Sequence, residues 1–160
     1  MRGSNRHAAL ASRKYRLMLI LVDADACPVK KIIVRTARQK NIPVVMIIDT
    51  SHELDDGYST VVTVDMARDS VDLKLVNMIE EGDIVVTQDS GLAAVALSKS
   101  AVVLNQNGLI YTNENIDQLL MSRHIGQKIR RGGGRTKGPK KRTKEDDERF
   151  DKAFSGVIGV

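Results

Sequence analysis

The sequence predicts an α/β protein: a three-layer α/β/α sandwich around a mainly parallel five-stranded sheet, with a basic C-terminal arm. Three observations lead there. Apolar runs of strand length alternate with stretches of helical periodicity. The runs lack polar alternation, as strands covered on both faces do. The segments between them are long enough for the helical crossovers that parallel strands require.

The elements follow in order. Leu19 to Val22 is the first strand, and after the turn-like Asp-Ala-Asp-Ala-Cys-Pro a helix shows Val29, Ile32, Ile33 and Ala37 on one face. Pro28 suits its first turn, with Asp25 or Ala26 as cap. Pro43 to Ile48 and Val61 to Val64 are the second and third strands, separated by a loop from Asp49 to Gly57 in which Asp49, Asp55 and Asp56 serve solvation. Val71, Leu75, Val76 and Ile79 give a helix from Asp69 to Glu80, stopped by Gly82. Asp83 to Thr87 is the fourth strand, Asp89 to Lys99 a helix and Ala101 to Leu104 the fifth strand. Asn107-Gly108 is a tight turn, and Asn113 or Asn115 caps a helix running to about Arg130. Thr143 and the acids that follow start a short helix with Phe150 and Phe154.

By composition the chain divides at 17 and at 131. Residues 1–17 read as an expression-vector leader, with Met18 as the expected native start. Residues 18–131 form the α/β domain, and 132–160 are a basic linker and the short helix. The net charge of +5 over 160 residues hides a segregation. Residues 19–122 carry eight Lys/Arg against fifteen Asp/Glu, whereas residues 123–144 carry ten Lys/Arg and no acid. An acidic body bearing a basic arm points to a polyanionic partner. The cations expected on phosphate are Arg123, Lys128, Arg130, Arg131, Arg135, Lys137, Lys140, Lys141 and Arg142. No stretch reaches the roughly 18 to 20 apolar residues of a membrane span. One cysteine, Cys27, excludes an intrachain disulfide and paired-cysteine zinc sites, which fits a cytoplasmic setting. Cys27 itself reads as a packing residue. The glycines at 132–134 lack the signature of a phosphate-binding loop.

Ligands of open α/β sheets bind outside the carboxyl ends of the strands. Asp23, Asp25, Asp65, Asp69, Asp72 and Asp89 all fall at that edge. Carboxylates so placed repel one another, and an oxygen-seeking Mg²⁺ or Mn²⁺ resolves the conflict. Asp23 directly follows the central strand, where a charge without a cation or donors is costly. Asp69 has the spacing of a capping box with Asp72. Lys74 and Arg68 stand near enough in sequence to reach a phosphate.

Val22 to Lys30 (VDADACPVK), Asp69-Ser70-Val71-Asp72, Asp83 to Asp89 (DIVVTQD), Asn115-Ile116-Asp117 and Gly134 to Thr143 (GRTKGPKKRT) together resemble the YaiI/YqxD family. The resemblance runs from Met18 nearly to Phe154. It implies a PIN-like fold related to the NYN branch of nucleases. Asp23, Asp72 and Asp89 would be the catalytic acids and metal ligands, with Asp25 and Asp69 as supporting ligands. The expected function is phosphodiester hydrolysis, with RNA as the substrate and Mg²⁺ or Mn²⁺ as cofactor. A non-catalytic nucleic-acid-binding module with a structural metal is the second reading. A haloacid-dehalogenase-like phosphatase, from the Asp-x-Asp after a strand, is the third, weakened by Cys27 and by a single Asp in the fourth-strand motif. A homo-oligomer is compatible with the sequence.

Overall fold

The computed structural model describes residues 18–65, 71–138 and 140–159. The leader assigned to residues 1–17, and Arg68 and Asp69, lie outside them. The chain runs β1 (Ile20–Asp23), α1 (Lys30–Gln39), β2 (Val44–Asp49), β3 (Thr60–Val64), α2 (Val71–Met78), β4 (Ile84–Val86), α3 (Ser90–Ser98), β5 (Val102–Leu104), β6 (Ile110–Tyr111), α4 (Ile116–Arg131) and α5 (Lys144–Ile158).

The strands form one six-stranded sheet in the order β3-β2-β1-β4-β5-β6. All neighbours are parallel except β5 and β6. The sheet therefore has six strands where the sequence predicts five. The extra one is only two residues long, too short for a hydrophobic pattern to register, and the Asn107-Gly108 turn folds it back onto β5. At Gly108 φ is +84°, and a Cβ would lie 2.7 Å from the Arg149 carbonyl oxygen, so the turn accepts only glycine without strain.

Alternating residues of each parallel strand divide between two cores. Ile20, Val22, Val44, Met46, Ile84 and Val86 face α1 and α5; Leu19, Leu21, Val45, Ile47, Val85 and Val103 face α2, α3 and α4. This is the three-layer arrangement. The helix expected to be short at the C-terminus spans 15 residues, and its Phe150 and Phe154 stack at 5.3 Å, fully buried against the first core.

Two helix starts differ from expectation. The helix α1 begins at Lys30, with Pro28 in the preceding turn, because the Asp25 carboxylate accepts the Asp49 amide across the sheet edge instead of capping the helix. Asn115 takes the cap position of α4, yet its side chain folds back to accept the Thr112 amide.

Candidate functional site

In the order β3-β2-β1-β4-β5, successive connections leave on opposite sides of β1 and β4, which makes the carboxyl ends of those two strands the crevice of the sheet. Asp23 is the last residue of β1. Thr87, just past β4 and only 2% exposed, donates its hydroxyl to Asp23 Oδ2 at 3.0 Å. The same hydroxyl oxygen accepts the Asp89 amide at 3.0 Å, and the Thr87 carbonyl accepts Tyr111 Oη. One threonine thus ties the ends of both central strands to the start of α3. Burial pushes the Asp23 carboxyl above its ordinary pKa; the Thr87 bond works against this, and the charges of Asp25 and Asp89 add to it.

Asp89 caps α3. Its Oδ1 accepts the amides of Gly91 at 2.8 Å and Leu92 at 3.3 Å, and meets Arg123 Nη1 at 2.8 Å. Asp72 stands in the first turn of α2. Its carboxyl is raised first by burial, then by the charges of Asp89 and Asp23 and by a carboxyl contact with Asp89, while Arg123 lowers it. Asp23, Asp72 and Asp89 therefore lie close enough to perturb one another, although they come from three elements. Carboxylate oxygens are the donors a hard divalent cation takes, but among the described residues the group whose ligand atoms all lie within 4.8 Å of one another is Asp25, Asp49 and His52, not this trio.

Asp25 turns toward β2. Both its oxygens accept the Asp49 amide, at 3.2 and 3.3 Å, and its Oδ1 lies 3.2 Å from His52 Nδ1. Asp25, Asp49 and His52 offer ligand atoms all within 4.8 Å of one another, a spacing compatible with a metal ion. Asp49 is thus more than a solvating loop residue: it closes β2 beside Asp25. Asp56 likewise organises a turn, accepting the Tyr58 and Ser59 amides. Asp65 and Lys74 line a groove of about 340 Å³ with Thr63, Leu73 and Asn77. Cys27 is buried in the α1/α5 core, and burial raises its thiol pKa.

The expected phosphate-binding cations divide. Lys128, Arg131, Arg135, Lys137, Lys140 and Lys141 are exposed, as is Arg130, which reaches Thr136 Oγ1 at 3.3 Å. Arg123 is drawn to Asp89. Arg142 is used inside the protein, its Nε on Asp147 Oδ1 at 2.7 Å, Nη1 on Asn107 Oδ1 at 2.7 Å and Nη2 on the Gln106 carbonyl at 2.8 Å. That clamp holds the arm beside Pro28 of the β1–α1 loop, where Lys140, Lys141 and Arg142 line a groove of about 640 Å³.

The profile of the family described as "Uncharacterized BCR, YaiI/YqxD family" matches residues 21–159. The chain belongs to the YaiI/YqxD family. A UPF0178 protein of Ruminiclostridium cellulolyticum is 70% identical over 137 residues, covering 86% of this chain and 90% of its own. UPF0178 proteins of Natranaerobius thermophilus and Clostridium acetobutylicum are 55% and 50% identical, each covering 88% of this chain and 96% and 97% of their own. No solved structure gives a significant match. Among the described residues no helix is long and apolar enough to cross a membrane.

In this YaiI/YqxD-family chain, sequence reasoning missed Thr87, Asp49, His52 and Gly91 as parts of the site. Thr87 had a signal, a hydroxyl directly after three buried strand residues. Asp49 and His52 had none, because only the β1–β2 pairing brings them to Asp25.

Proposed function

We propose that this protein is a divalent-metal-dependent phosphodiesterase acting on RNA, with Asp23, Asp72 and Asp89 as its catalytic and metal-binding acids. The observation that carries the reading is the convergence of these three carboxylates, from β1, α2 and the start of α3, at the crevice of the sheet. The resemblance to the YaiI/YqxD family, with the PIN-like fold it implies, supports it. A Mg²⁺ or Mn²⁺ bound there would lower the pKa of a water and neutralise charge on the phosphodiester. Thr87 fixes the Asp23 carboxylate so that Oδ2 is already oriented. Asp25 supports from the side of β2; Asp69 is a further ligand by the resemblance. The exposed cations from Lys128 to Lys141 would hold the RNA backbone.

Asp89 also caps a helix and pairs with Arg123, which favours a second reading, a non-catalytic RNA-binding protein. Cleavage of a fluorescent single-stranded RNA with Mn²⁺ separates them. The wild type should cut, and Asp23→Asn combined with Asp89→Asn should lose about 100-fold or more of the rate. A double mutant cutting at the wild-type rate overturns the site. RNA binding without cleavage by the wild type leaves the second reading.

A further inference from the structure

Arg123 belongs to α4, yet its guanidinium sits at the cap of α3, 2.8 Å from Asp89 Oδ1. That oxygen already accepts two backbone amides, so the arginine is not required to satisfy it. Arg123 is 46% exposed and makes no other side-chain hydrogen bond among the described residues, so the pair can open at little cost. What it supplies is positive charge, and that charge also acts on Asp72. Gly91 shows how it is admitted. A Cβ there would stand 2.7 Å from Arg123 Nη1 and 3.1 Å from Asp89 Oδ1. The guanidinium, the far end of a flexible side chain, must yield to an alanine, and the Asp89 carboxylate that caps α3 must give by a few tenths of an ångström as well.

We propose that Arg123 is a built-in counter-cation of the carboxylate cluster, competing with a divalent cation at Asp89 and so setting the metal affinity, with Gly91 leaving the space it occupies. The proposal rests on the reading that the cluster holds such a cation. Arg123 acts through Asp89 and is a positioning residue in this role. Coulomb's law gives the direction: a fixed positive charge beside a ligand weakens binding of a second one, and its removal strengthens it.

The test is calorimetric titration of Mn²⁺ alone into the full chain at low salt, following the part of the binding that Asp89→Asn abolishes. Arg123→Ala should tighten that binding about two- to fivefold, the range an exposed ion pair spans. Arg123→Lys, which keeps the charge, should stay nearer wild type. Unchanged or weakened affinity in Arg123→Ala overturns the proposal while leaving the metal site standing. Equal Mn²⁺ binding by wild type and Asp89→Asn, or none by either, overturns the metal site and this proposal with it. Melting curves establish that each variant is folded.

Discussion

One oxygen of Asp49 gathers the Ser51 amide at 2.8 Å, the Ser51 hydroxyl at 2.5 Å and His52 Nδ1 at 2.9 Å. These bonds, the Ser51 hydroxyl first, hold the Asp49 carboxyl down at about 2, and the Asp49 bond raises His52 above its ordinary 6.5. The signs follow from which form each bond favours. The Asp49 contribution is present above about 3.8 and is lost as pH falls toward 2; that of His52 is full below about 6.5 and is lost as pH rises through its raised value. The pairing is therefore complete between those limits. Proton NMR titration of His52 should give a midpoint above 6.5, and Asp49→Asn should bring it back toward 6.5. An identical midpoint in both proteins would refute the pairing.

At the scale of elements, α5 shows how a sequence of mostly polar residues becomes part of a core. Its start is specified locally: Thr143 accepts the Asp146 amide and Asp146 reciprocates toward Thr143, a capping box. Its docking depends on Phe150 and Phe154, one turn apart and therefore on one face, both in the same core cluster as strand residues such as Val22 and Met46. Removing either ring leaves a large void in a close-packed layer. Phe154→Ala should cost about 3–5 kcal/mol in urea unfolding, a large share of a typical domain's stability. A loss under about 1 kcal/mol would mean that the helix is not docked. Phe150, Phe154 and Ile158 of α5 lie in one core cluster with residues of β1, β2 and α1.

Over the whole molecule, the basic segment meets the acidic edge through Arg123 on Asp89, while Arg142 anchors the arm to Gln106 and Asn107 after β5. The arm's contribution can be tested without disturbing the clamp, by changing Arg135, Lys137, Lys140 and Lys141 to Ala and leaving Arg142. Each phosphate contact adds about −0.7 to the log-log salt slope on single strands. If three of the four touch phosphate, the slope of RNA binding should shallow by about 2, with Mn²⁺ affinity unchanged. Binding and salt dependence that survive the substitution would reduce the arm to a solvated tail.

The apolar runs around Leu21, Met46 and Val85 were legible as buried strands because hydrophobic periodicity is a local property, and parallel pairing follows from the helices between them. Asp23, Asp72 and Asp89 were legible as candidates because the carboxyl ends of parallel strands share one edge. The sequence by itself therefore determined the layers and the edge, and singled out Asp23, Asp72 and Asp89 as candidates there. Only the tertiary structure decided who touches whom. Strand order set β1 between β2 and β4, which brought Asp49 and His52 to Asp25 and Thr87 to Asp23. The packing of α4 on α3 put Arg123 on Asp89, 34 residues away, a contact no local pattern encodes. Side-chain partners across long loops depend on pairing order and helix packing, which are properties of the closed chain.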